Sequence, residues 1–141
     1  MGIKSDYAEY AARLAAYKNG PAVNQYFLYN YKRYVEPFRI FGNVYYVGDS
    51  WVCVHLIDTG DGLLLLDAGN AGATAMLVHA IWKLGFNPAD IRWVVLSHGH
   101  VDHIGAADFM RQMFGSRILL GGPDAEMFEN APERSYIQGG A

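Results

Sequence analysis

The sequence predicts an α/β (α+β) chain, a mixed β-sheet with helices on one face. Three observations carry this. After Pro37 short runs of branched and aromatic residues are separated by Gly-Asn, Gly-Asp and Asp-Gly pairs, the turn chemistry of antiparallel hairpins. Apolar residues at helical spacing then stand between two strand-like runs, and a second such repeat follows, so strand and helix alternate as in layered folds. The length of 141 residues suits one ordinary domain with one core.

Residues 1–36 are read as an N-terminal helix and an aromatic arm. From Ser5 to Tyr17 the residues Tyr7, Tyr10, Ala11, Leu14 and Tyr17 recur at helical spacing, Ser5 is an N-cap and "KNGP" is a stop. The following "AVNQYFLYNYKRYVEPF" is aromatic without a clean period, and is expected to lie as an arm over the main body. Residues 37–122 form the domain proper. "FRIFGNVYYVGD" and "WVCVHLIDTGDGLLLLDAG" are expected to form an antiparallel meander, with Asp58 and Asp61 as turn residues. In "NAGATAMLVHAIWKLGFNPAD" the residues Met76, Leu77, Ala80, Ile81 and Leu84 share one helical face, ended by Gly85 and Pro88. "IRWVVLS" is the next strand. "IGAADFMRQMFGS" carries Ile104, Ala107, Phe109, Met110 and Met113 at helical spacing up to Gly115, and "RILLGG" suits another strand. Residues 123–141 read as a weaker tail with one short helix near Ala125 to Glu129.

Composition excludes some classes of function. A formal charge of −3, a pI near 5.9 and scattered basic residues leave no electrostatic footprint for nucleic acid. No window reaches the roughly 18 apolar residues of a membrane span, and the opening residues lack the apolar core of a signal peptide. A cytoplasmic chain with no membrane partner is expected. Cys53 is the only cysteine, so no intrachain disulfide forms, and it is read as a buried structural thiol. Hydrophobic residues make up 52% and charged residues 18%, so apolar content sits slightly above and charge well below the usual globular mix.

The chemistry is concentrated in "SHGHVDHIG", Ser97 to Gly105. His98 and His100 stand two apart at the end of a predicted strand, so their side chains can point the same way, while Asp102 and His103 lie on the turn into the next helix. Imidazole and carboxylate donors at the C-terminal end of a strand suit zinc, with iron or manganese as second choices. Adjacent residues project in different directions, so four donors this crowded suit two ions better than one. A pair of ions would acidify a shared water and polarise the bond under attack, which is hydrolytic chemistry. Asp67, closing "GLLLLDAG", has two readings: it accepts a hydrogen bond from a metal-bound histidine or the neighbouring loop, or it is a turn residue that helps Gly69 reverse the chain. His55 and His79 are read as structural histidines.

His98-Gly-His100-Val-Asp102-His103, preceded by the strand ending in Asp67-Ala-Gly69, resembles the metallo-β-lactamase superfamily from Pro37 to Gly122. The resemblance implies an αββα sandwich, up to two zinc ions and hydrolysis of amide, ester, thioester or phosphoester bonds in a small-molecule substrate. By position, His98 and His100 would bind the first metal, and Asp102 and His103 the second. Asp102 would also be catalytic, orienting the bridging hydroxide, and Asp67 would support a ligand from behind. Members of the superfamily complete these sites with two downstream histidines, whereas no histidine follows His103 here. The resemblance therefore implies the first half of the sandwich, truncated before the second, with an incomplete dinuclear site and one sheet face uncovered. Three readings stay open: a partial hydrolase, a homo-oligomer whose copies cover that face and share a composite site, or a non-catalytic metal-binding or interaction module.

Overall fold

The computed structural model describes residues 30–130. The helix expected over Ser5 to Tyr17, and most of the aromatic arm, lie outside the described residues. The chain divides between Lys32 and Arg33 into two units, and the second carries the sheet. Among the described residues no helix is long and apolar enough to cross a membrane.

Six strands form one sheet in chain order: β1 (Phe38–Phe41), β2 (Val44–Tyr46), β3 (His55–Asp58), β4 (Leu63–Leu66), β5 (Ile91–Val95) and β6 (Arg117–Leu119). The first four pair antiparallel and the last three parallel, so the sheet is mixed, as expected. Connection length explains the switch. The β3–β4 turn is short, with the Asp58 carboxylate accepting the Gly60 N–H at 3.0 Å and Gly60 and Gly62 at φ +78° and +94°. Parallel strands instead need crossovers, supplied by α1 (Thr74–Lys83) between β4 and β5 and by α2 (Val101–Ile104) and α3 (Ala107–Phe114) between β5 and β6. Gly115, at φ +73°, ends α3 in the left-handed conformation. A final helix, α4 (Gly122–Asn130), is longer than the short helix expected near Ala125.

Register decides which face is buried. Leu56, Leu65 and Val94 are cross-strand neighbours and join Leu77, Ala80 and Ile81 of α1 and Ala107 and Met110 of α3 in one core cluster. Tyr45 and Ile118, at the ends of the same row, pack against it. The opposite face carries two further cross-strand rows. One runs through Phe38, Tyr46, His55, Leu66, Val95 and Leu119, the other through Phe41, Val44, Ile57, Leu64, Trp93 and Arg117. Its central residues are half-buried and its margins open, with Phe38 48%, Phe41 68% and Leu119 47% exposed.

Two expectations need correction. Cys53 is exposed, because Val52, Val54 and Leu56 take the inward positions and the alternation turns Cys53 outward with His55 and Ile57. The strand also starts late, at His55, since the Asp49 carboxylate accepts the N–H groups of Trp51 and Val52 at 2.8 Å each and holds that stretch in a turn. Asp49 is itself buried against Arg33 at 3.1 Å. The helix expected before Gly115 forms as α3, with Phe109 and Met113 on its open side.

Leu65 is wholly buried and Met113 is 63% exposed. Leu65→Ala is expected to lower stability by about 2–5 kcal/mol, and Met113→Ala to stay within about 0.5 kcal/mol. Urea denaturation midpoints check this; equal effects would contradict the assignment of the core.

Candidate metal centre

Two loops build the site, and backbone groups lace them together. Beyond β4 the chain passes through Asp67 at φ +60° and Gly69 at φ +62°. The Asp67 N–H donates to Val95 O at 2.8 Å and the Ala68 N–H to His103 O at 2.7 Å. In return Gly105 N–H donates to Gly69 O at 2.7 Å, and Ala106 N–H to Ala68 O at 3.2 Å. Such close approach requires glycine at 105: a Cβ there would lie 2.0 Å from Ala71 N and 2.5 Å from Gly69 O, both backbone atoms that cannot swing away. The motif's final glycine is thus a spacing device.

The four donors leave from the far side of this lace. β5 ends at Val95, so His98 and His100 stand on the loop after it, with His100 as the N-cap of α2; Asp102 and His103 lie within α2. The histidines therefore converge through loop conformation and not through strand alternation. His98 Nε2 and His100 Nδ1 are 3.0 Å apart, and Asp102 Oδ2 and His103 Nε2 are 3.9 Å apart. Two nitrogens on one tetrahedral zinc would stand roughly 3.3–3.4 Å apart, so the first pair needs only a small opening to bracket an ion. The His98 and His103 rings lie 4.1 Å apart between centroids, which sets the two pairs side by side. Among the described residues no three His, Cys, Asp or Glu side chains gather on one point. The four side chains stand as two pairs, His98 with His100 and Asp102 with His103.

Asp67 joins these pairs from beneath. It is 7% exposed. Its Oδ1 accepts the Ser97 N–H at 2.7 Å, and its Oδ2 accepts the Ser97 hydroxyl and His103 Nδ1–H at 2.9 Å each. Burial alone would raise its pKa, but the Ser97 and His103 hydrogen bonds outweigh burial and hold the carboxyl below the usual aspartate value. Asp67 both turns the chain, at φ +60°, and meets His103. Ser97 was missed. Its hydroxyl lies 2.9 Å from His98 Nδ1 as well, and the one signal available was a hydroxyl residue directly before the first histidine. On the other side α4 leans on the loop, with Phe128, Asp124 and Met127 filling the space a side chain at Gly99 would need. His55 packs edge-on against Tyr46, and His79 lies on the exposed side of α1 near the Tyr34 ring.

A family model described as the metallo-beta-lactamase superfamily matches residues 42–140. The chain belongs to this superfamily. Hydroxyacylglutathione hydrolase GloC of Haemophilus influenzae is 32% identical over 84 residues, 59% of this chain and 37% of that protein. BJP-1, a subclass B3 metallo-beta-lactamase of Bradyrhizobium japonicum, superposes with a TM-score of 0.68 at 33% identity, over 72% of this chain and 39% of its own. The class B3 di-zinc metallo-beta-lactamase LRA-12 from an Alaskan soil metagenome gives a TM-score of 0.67 at 28% identity, over 71% of this chain and 38% of its own. The chain thus spans about two fifths of the length of the metallo-beta-lactamase superfamily members it matches.

In this superfamily member the Asp67 carboxyl has a depressed folded pKa, so its stabilising contribution is complete above the unfolded aspartate value near 3.9 and is lost as pH falls through the lower folded value. Asp67→Asn keeps the shape and tolerates the positive φ. The stability gap between the metal-free parent and D67N is expected to be constant from pH 7 to about 5 and to narrow below about 4. Thermal unfolding across that range checks it; a gap that widens in acid would refute the assignment.

Proposed function

We propose that this chain carries the donor loop of a zinc-dependent hydrolase acting on a small molecule, with His98 and His100 holding one ion and Asp102 and His103 holding a second. The observation that carries this is the pairing of the four donors over one buried carboxylate, Asp67, which contacts His103 directly and Ser97 beside His98. A second support is the company the chain keeps, since the relatives are named as a hydrolase and as metallo-beta-lactamases, one of them di-zinc. Bound ions would supply an acidified water and polarise the bond under attack, whether amide, ester, thioester or phosphoester. The chain's own residues bind and orient. Neutral imidazoles from His98, His100 and His103 are ligands, Asp102 adds the one negative charge among the four donors, and Asp67 fixes His103 against rotation. Asp102 is also the catalytic residue in this reading, orienting the attacking water. Among the described residues each pair lacks the further donors that a closed shell needs, so turnover depends on donors beyond these four.

Chain stripped of metal and re-equilibrated with a zinc buffer is expected to hold close to two zinc ions, and the double variant H98A/H100A close to one. Elemental analysis per chain checks both. A parent with no bound zinc overturns the reading.

A second reading follows from the open sheet face. A second copy of the chain is the cover it can itself provide: the face is apolar along both rows apart from Arg117 and His55, and two-fold pairing would lay like against like. Light scattering after size exclusion is expected to give the mass of a dimer, reduced to a monomer by Leu119→Asp. A parent that stays monomeric at high concentration ends this reading.

A further inference from the structure

The bonds beneath the donors specify where the protons sit. Asp67 is buried and its two oxygens are met by three donors, the Ser97 N–H at Oδ1 and the Ser97 hydroxyl and His103 Nδ1 at Oδ2, and a carboxylate so surrounded only accepts. The Ser97 hydroxyl has one proton to give, and it points to Asp67 Oδ2 at 2.9 Å. What Oγ then offers His98 Nδ1, also 2.9 Å away, is a lone pair. The proton on the His98 ring facing Oγ therefore belongs on Nδ1, and the neutral ring of that tautomer has its lone pair on Nε2, the atom 3.0 Å from His100 Nδ1. At His103 the same carboxylate oxygen accepts Nδ1–H directly and leaves Nε2 bare, on the side of Asp102.

We infer that Ser97 is a positioning residue that locks His98 in its Nδ1–H tautomer and, through the carboxylate it shares with His103, couples the two donor pairs. One buried charge sets the donor atom of one histidine in each pair, directly at His103 and through a hydroxyl relay at His98. The Ser97 hydroxyl bridges Asp67 Oδ2 and His98 Nδ1. A hydroxyl is required rather than any polar group: an acceptor-only side chain would repel Asp67, and a methyl would release His98 to choose either tautomer. Threonine keeps the hydroxyl and alanine removes it.

The consequence for metal rests on the zinc reading proposed above, but the tautomer does not, and the experiment separates them. In histidine-labelled, metal-free protein, long-range proton–nitrogen correlation spectra report which ring nitrogen carries the proton. The parent and Ser97→Thr are expected to show His98 protonated at Nδ1, and Ser97→Ala a mixture with a substantial Nε2–H population. Zinc affinity measured by competition with a chelator is then expected to fall about 10- to 100-fold in S97A and to recover in S97T. A parent with His98 protonated at Nε2, or an S97A spectrum identical to the parent's, overturns the inference. So does unchanged zinc affinity in an S97A variant whose tautomer has shifted. A parent that binds no zinc, with the tautomers behaving as expected, overturns the zinc reading and leaves the proton assignment standing. Should S97A fold poorly, the parent spectrum alone decides the tautomer.

Discussion

The site depends on one buried carboxylate placed where its charge is fully used. Asp67 leaves β4 in a left-handed conformation that costs a non-glycine residue about 1 kcal/mol or more, and burial adds a desolvation penalty. Three hydrogen bonds offset this, two from Ser97 and one from His103. Bonds to a charged group are each worth about 1.5–3 kcal/mol, so the balance favours the ionised carboxylate, in keeping with its lowered pKa. The strain and the charge belong together: an extended residue at 67 would carry the carboxylate elsewhere, and a neutral one would not gather the same donors.

Around that charge the fold works as a support with a single core. α1 and α3 press on the same side of β3, β4 and β5, which fixes the ends of β4 and β5 relative to each other. From those ends spring the two loops whose backbones interlock through Ala68, Gly69, His103 and Gly105. The lace uses main-chain groups and two glycines, Gly69 and Gly105, so the spacing of the loops is insensitive to most other side-chain changes, while the direction of the donors is left to Asp67 and Ser97.

The architecture was legible in the sequence because turn residues and branched runs have local meaning. The hairpin around Gly42 and Asn43, the helix from Thr74 and the stop at Gly115 all fall where local rules put them. Faces were harder. Four consecutive leucines, Leu63 to Leu66, carry no alternation, and only pairing with β3 and β5 turns Leu63 and Leu65 inward. Cys53 went the other way because a free cysteine reads as buried, whereas strand phase decided its place. The donors could be named from their spacing, yet the reason they converge is the loop after β5, not the strand. Ser97 escaped because its partner, Asp67, is thirty residues away in the chain, and no local pattern links a loop hydroxyl to so distant a carboxylate.

The sheet's two faces divide the labour of this chain. The hydrogen bonds that interlock the two loops and gather around Asp67 join residues between Asp67 and Ala106, and α1 and α3 pack on the closed face. Whatever lies on the open face meets a donor loop already shaped. Covers of different outline can therefore be exchanged against a constant loop.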